Sequence, residues 1–154
     1  MVIIELSKRL DIQENKRGCR KYSSFEKLLD ELRKREIPSE LVNSINKDIE
    51  LLNSYPNSDR AFIKQLSKSQ SSILKLIEKE LKLVTKNHYR TLWMTLGMSV
   101  YGVPIGAGLG AAFGNMAFIG TGIPIGMAVG IGIGIALDRK AFEKGRQLDI
   151  ELKN

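Results

Sequence analysis

TLWMTLGMSVYGVPIGAGLGAAFGNMAFIGTGIPIGMAVGIGIGIAL, residues 91–137, is a 47-residue run without one Lys, Arg, Asp or Glu, in a chain that carries 24 basic and 17 acidic residues. Within it Gly102, Gly106, Gly110 and Gly114 recur every four residues, and twenty positions later Gly122, Gly126, Gly130 and Gly134 repeat the series. A hydrocarbon core about 30 Å thick requires about 20 helical residues per crossing, so the run holds two spans and is too short for three. The reading places them at Thr91–Phe113 and Met116–Leu137, joined by a turn at Gly114-Asn115. Gly102-Val-Pro-Ile-Gly106 and Gly122-Ile-Pro-Ile-Gly126 are near copies, the mark of an internally duplicated span.

Glycine costs about 1 kcal/mol against alanine in an aqueous helix. In lipid it has a use, because helices associate there by van der Waals packing and small residues four apart let two backbones approach. Each span carries a second small series, out of phase with the first: Pro104, Gly108 and Ala112, then Pro124, Ala128, Gly132 and Ala136. A shift of two positions turns the helix face by about 200°. Each helix is therefore expected to have two opposed seams, one for its hairpin partner and one for a neighbouring copy.

A strand reading competes, since Ile123, Ile125, Met127, Val129, Ile131, Ile133 and Ile135 alternate with mostly small residues. The alternation outlasts an ordinary strand of about 5–6 residues, Pro104 and Pro124 fall where ladder donors are needed, and one hairpin cannot close a barrel in lipid. A soluble domain burying the run is the other alternative; the remaining residues would have to cover both segments. Pro124 lies in the first turns of its helix, whereas Pro104 is interior and is expected to kink the first span.

Lys82, Lys86 and Arg90 precede the first span, Arg139, Lys140, Lys144 and Arg146 follow the second, and the turn between them is uncharged. The positive-inside rule then puts both termini in the cytoplasm, with the hairpin in the membrane that bounds it. Tyr89, Arg90, Trp93, Arg139 and Lys140 form the expected interfacial belt. Met-Val-Ile-Ile is interrupted by Glu5 and lacks a basic leader, so no secretory signal is expected and the hairpin itself directs insertion.

The fold expected is all-α: a cytoplasmic helical bundle followed by a two-span transmembrane hairpin with glycine-zipper packing. Residues 1–22 are poorly defined, with Val2–Leu6 a short helix or strand and Asn15–Arg20 basic and mobile. Residues 23–90 form the cytoplasmic helical region, 91–137 the hairpin and 138–154 a cytoplasmic amphipathic tail. Ser23-Ser24-Phe25-Glu26 reads as a capping box opening a helix with Phe25, Leu28, Leu29 and Leu32 on one face. A second helix starts at Pro38 and presents Leu41, Ile45, Ile49 and Leu52. The third, Ser58–Arg90, presents Phe62, Leu66, Ile73, Ile77, Leu81 and Val84, and with no Gly or Pro after it is expected to run on into the membrane as one rod. Its stripe is interrupted at Ser67–Ser72, which favours a bundle with the two preceding helices over a long coiled coil between copies. After the second span, Phe142, Leu148 and Leu152 offer a face for a short helix.

The net charge of +7 is dispersed among acids along the helices and accompanies no nucleic-acid module, so attraction to anionic lipid accounts for it and no nucleic acid is expected as a partner. His88 is the only histidine and Cys19 the only cysteine, which excludes a zinc cluster or a disulfide within one chain. Gly106-Ala-Gly108-Leu-Gly110 starts like a phosphate loop, but no Lys-Ser or Lys-Thr follows. No enzymatic activity, cofactor or metal is expected.

Over Gly102–Gly134 the chain resembles the glycine-zipper membrane hairpins of small bacterial proteins, a motif found in oligomeric channels, pore-forming or membrane-damaging toxins and lipid-bound assembly proteins. The resemblance implies a homo-oligomer in the bilayer, packed through Gly102, Gly106, Gly108, Gly110, Gly114, Gly122, Gly126, Gly130, Gly132 and Gly134. It leaves open a pore-forming or membrane-perturbing effector controlled by the cytoplasmic helices, and an anchor or scaffold whose residues 23–85 bind a protein partner. Thr95, Ser99, Asn115 and Thr121 are the few polar candidates to face a pore.

Overall fold

The computed structural model describes residues 2–9, 12, 16–56 and 60–151. Over these the chain is helical: α1 Lys16–Arg33, α2 Ser39–Asn53, α3 Arg60–Leu81, α4 His88–Leu96, a π-helical turn at Gly97–Gly102 that continues into α5 Val103–Phe113, and, after a 3₁₀ turn at Met116–Phe118, α6 Ile119–Glu143. Counting the unbroken run from α4 to α5 as one, these are five helices among the described residues. The chain divides into two compact units, Met1–Leu83 with Leu148–Asn154, and Val84–Gln147.

In the first unit α1 and α2 each pack on α3, which holds the centre because its stripe of Phe62, Leu66, Ser69, Ile73 and Ile77 returns every three to four residues. Phe25, Leu28, Leu29 and Leu32 of α1 and Val42, Ile45, Ile49 and Leu52 of α2 close the core from the two sides. Ser69, a polar residue in the middle of the stripe, is buried but satisfied: its hydroxyl donates to Asp48 Oδ1 (3.4 Å) and accepts from Gln65 Nε2 (3.3 Å). Non-helical pieces complete this core, Ile3 and Leu6 before α1, Leu83 after α3, and Leu148 and Ile150 after α6.

Several local expectations give way. The Ser23–Glu26 capping box opens nothing, because α1 begins at Lys16 and buries Gly18 and Tyr22 a turn earlier. Lys16–Arg20, expected to be mobile, are its first turns; Asn15 lies outside the described residues. In a helix interior, Ser23 and Glu26 are simply two polar positions a turn apart. Ser58, the expected start of the third helix, also lies outside the described residues, and α3 does not run into the hairpin. It stops at Leu81, where Lys82 takes φ 55°, and a second left-handed residue, Asn87 (φ 59°), precedes α4. Val84 instead pairs with the end of the chain's return, its amide bonding the Arg146 carbonyl (3.0 Å) in a single parallel bridge with Gln147.

Beyond the second span the helix expected from residue 138 is the continuation of α6 as far as Glu143, closed by Gly145 at φ 65°. As far as residue 151 the described tail adds no further helix: Phe142 is exposed on α6, Leu148 is fully buried in the first unit, and Leu152 lies outside the described residues.

Candidate functional site: the glycine-zipper hairpin

The run from His88 to Phe113 (26 residues) and the run from Met116 to Glu143 (28 residues) are both long and apolar enough to cross a membrane, and they pack against each other as a hairpin. The turn is made where glycine was expected to make it. Gly114 takes φ 65°, the amide of Asn115 returns to the Gly110 carbonyl (3.0 Å), and the Asn115 side chain accepts from the Ala117 amide (2.9 Å), capping the 3₁₀ turn.

The seam between the helices is backbone against backbone. A Cβ on Gly106 would fall 2.5 Å from the Ile119 carbonyl oxygen, and one on Gly102 would fall 2.9 Å from Ile123 Cα. On the other side, Gly122 faces Gly102 and Gly106, Gly126 faces Gly97 and Gly102, Gly130 faces the Trp93 carbonyl, and Gly134 faces Tyr89 and Arg90, all closer than real side chains approach. Gly110 is less tight, at 3.3 Å from Asn115 O. Two of the glycines are outside this contact. Gly108 and Gly132 lie on the second series, where an added Cβ would meet nothing within 4 Å. Gly114 also meets nothing, since its work is the turn.

Gly97 is the seam residue that the four-residue spacing conceals. It stands five positions before Gly102, and the intervening segment is π-helical. A π turn accommodates an extra residue, so Gly97 comes round to the face that Met98 would have occupied in an uninterrupted α-helix. Pro104 supplies the cause. It has no amide for the carbonyl at position 100, and its ring crowds that carbonyl; the distortion falls in the turn just before it. The expected kink is therefore expressed as a change of helical register.

The charged end of the hairpin is closed by Asp138. Its two carboxylate oxygens accept the amides of Tyr89 (3.1 Å) and Arg90 (2.9 Å), two of the donors that the first turn of α4 leaves without helical partners. The Asn87 side chain makes no such bond, so the cap comes from the opposite helix. A carboxylate at a helix N-terminus also meets the positive end of the helix dipole. Asp138 is buried, as few charged groups are; its sequence signal was slight, one acid among the mixed charges that follow the second apolar run.

Tyr89 and Trp93 are half-buried, with their backbones against Gly134 and Gly130; Arg90, Arg139 and Lys140 are exposed, and Arg139 Nε bonds Glu143 Oε1 (3.0 Å). Three polar side chains of the two apolar runs are turned onto the backbone just before them. Thr95 donates to the Thr91 carbonyl (3.1 Å), Ser99 to that of Thr95 (2.8 Å) and Thr121 to that of Phe118 (2.7 Å).

Burial in this unit is inverted relative to a water-soluble hairpin. Only 22% of the most apolar 18 residues of each run is buried, and what is buried is chiefly glycine: Gly97, Gly102, Gly106, Gly110, Gly122, Gly126, Gly130 and Gly134. The large side chains point outward, among them Val100 (54% exposed), Ile125, Val129, Ile135 (51%), Phe113 and Met116. Comparison with protein-family models, curated proteins and solved structures finds no match for the chain.

Proposed function

We propose that this is an inner-membrane protein whose hairpin spans the bilayer, self-associates through its second small-residue seam and perturbs the membrane under the control of its helical first unit, which lies with both termini in the cytoplasm. The inverted burial carries the reading. An apolar surface of this extent is rare on soluble monomers, whereas in hydrocarbon the outward Ile, Val, Leu and Phe side chains are solvated by lipid tails and the glycines supply the packing. The bridge between Val84 and Gln147 holds the two ends of the hairpin together, which supports a single side for both termini.

The second seam supports self-association. Pro104, Gly108, Ala112, Pro124, Ala128, Gly132 and Ala136 are all exposed, and the first seam is already filled within the chain. A helix surface of small residues packs best on another such surface, and a neighbouring copy provides one. A water-lined channel is the less supported form of the effector, because Thr95, Ser99 and Thr121 donate their hydroxyls to carbonyls three or four residues earlier in the chain. An apolar constriction or a disturbance of lipid packing fits the surface better. That same absence of a polar lining favours a second reading, an anchor whose first unit binds a protein partner.

Leakage separates the two. Full-length protein reconstituted into dye-loaded liposomes, and expressed in cells reporting membrane potential, should release dye and depolarise, and Gly108→Leu with Gly132→Leu should abolish both while leaving insertion intact. An inserted protein that causes neither effect, alone or without its first unit, would replace the effector by the anchor.

A further inference from the structure

The first unit contains a site that reads main chain. Residues 2–7 lie along α2, and two asparagines of that helix each hold them by a donor and an acceptor. Asn46 Oδ1 accepts the Ile4 amide (3.0 Å) while its Nδ2 donates to the Val2 carbonyl (3.1 Å); Asn53 Oδ1 accepts the Ser7 amide (2.8 Å) while its Nδ2 donates to the Glu5 carbonyl (3.1 Å). The geometry has a simple origin. Seven residues of helix rise about 10.5 Å, and three residues of a chain with a threefold repeat cover about 9 Å and return the same face, so asparagines seven apart meet backbone pairs three apart. Arg33 Nη2 donates to the Ile4 carbonyl (2.9 Å), and the Tyr22 hydroxyl to that of Ser7 (2.8 Å). Burial, reinforced by Glu26, pushes the Tyr22 phenol up to about 12, so it remains a donor.

These bonds ignore side-chain identity. Selection comes from Ile3 and Leu6, both buried in the core. The groove thus accepts a non-helical peptide with large aliphatic residues three positions apart, and the segment seated in it is the chain's own residues 2–7.

We propose that this groove is an exchange site, in which the N-terminal segment of one copy occupies the groove of a neighbouring copy and links their first units. The contacts of a segment with its own groove and with an identical one are the same, so the choice is set by effective concentration, and swapping of identical elements is a low-cost route to association. Assembly through the hairpins would supply that concentration; to this extent the proposal rests on the reading of the previous subsection, whereas the groove's ability to bind the segment does not.

The test has two arms, both on the full chain in detergent. In the first, a fluorescent peptide of residues 1–9 is titrated onto Ile3→Asp/Leu6→Asp, whose own segment is disabled. Saturable binding is expected, at least tenfold tighter than to the unaltered chain, and roughly tenfold weaker once Asn46→Ala or Asn53→Ala is added, two backbone bonds being lost each time. Absence of binding to a variant that retains its helical circular dichroism overturns the groove. Should that variant not fold, photocrosslinking of a peptide with a reactive group at position 4 to the unaltered chain replaces it, and failure to label α2 overturns the groove equally. In the second arm, Ile3→Asp/Leu6→Asp is mixed with Asn46→Ala/Asn53→Ala, so that only one pairing joins an intact segment to an intact groove. Mixed pairs in excess of either variant's self-pairing support exchange. Peptide binding without that excess overturns exchange between copies, and if the chains also fail to associate at all, it is the self-assembly reading that has failed.

Discussion

Alanine at Gly126 and alanine at Gly108 are the same chemical change in the same kind of helix, and the seam makes their consequences differ. Either substitution recovers helix propensity worth about 1 kcal/mol in water. At Gly126 the new methyl would stand inside the backbone of Gly97 and Gly102, which cannot rotate aside, and overpacking of this kind costs about 1–3 kcal/mol or more. Gly126→Ala should therefore lower the thermal stability of the hairpin in detergent, while Gly108→Ala should leave it unchanged or raise it slightly. Equal behaviour would show that the helices are not in backbone contact. In the first unit Asp48 offers a pH signature. Burial raises its pKa against the lowering effects of Ser69 and Lys68. A carboxyl whose folded pKa lies above its unfolded one contributes stability below the unfolded value and loses it as pH rises through the folded value. Asp48→Asn should accordingly raise the melting temperature of the first unit at pH 7, and the gain should shrink as pH falls through the acid range; a gain independent of pH would mean that ionisation of Asp48 costs nothing. Neither effect was legible residue by residue. The two small-residue series could be separated by phase in the sequence, but only the packed helices show that the series of Gly106, and not that of Gly108, faces the hairpin partner.

Pro104 carries the argument at the scale of an element. The charge-free run, its division near Gly114 and the helical character of both halves could be read from composition and spacing, because run length, absence of charge and glycine periodicity are local properties of the sequence. The ends of α3 and α4 could not. No Gly or Pro marks the break after Leu81, and of the two left-handed residues only Asn87 belongs to a type that adopts that conformation readily. The Ser-x-x-Glu pattern at residue 23 misled for the complementary reason: a cap signature is also two ordinary surface residues of a continuing helix, and burial of Tyr22 carries α1 past it. The π turn is a subtler case, since the proline was plain in the sequence but its effect on register was not. Pro104→Ala should improve intrinsic helix formation and yet destabilise the hairpin. With the amide restored, residues 97–102 can return to α geometry, which rotates Trp93 and Gly97 off the seam by about 100° and brings Met98 toward Gly126 and Gly130. Thermal unfolding in detergent checks this. A rise in stability would place the origin of the π turn in packing and not in the proline.

At the scale of the molecule the two units follow opposite solvent rules. The first hides Phe25, Phe62, Ile45 and Leu66 and exposes charge; the second hides glycine and exposes isoleucine. Composition announced this division, but its boundaries are set by packing, because Leu148 and Ile150 return to the first unit's core after the hairpin. The sequence is thus discontinuous where the fold is not. It follows that the hairpin should be removable only as an insertion. Val84 and Gln147 are bridged, so the two ends of residues 84–147 lie side by side, and a short glycine-serine turn should be able to replace them. Closing a loop of a few residues carries a small entropic penalty compared with the core it preserves. The resulting protein should stay in solution without detergent and melt cooperatively. Truncation at residue 83 should instead lose Leu148, a fully buried side chain of a size whose removal costs about 2–5 kcal/mol, and should melt at a clearly lower temperature. The full chain should sediment with membranes and resist extraction by high salt. If it is released by salt alone, or if the hairpin-deleted protein needs detergent as much as the full chain does, the outward apolar surface of residues 84–147 is not a lipid-facing one.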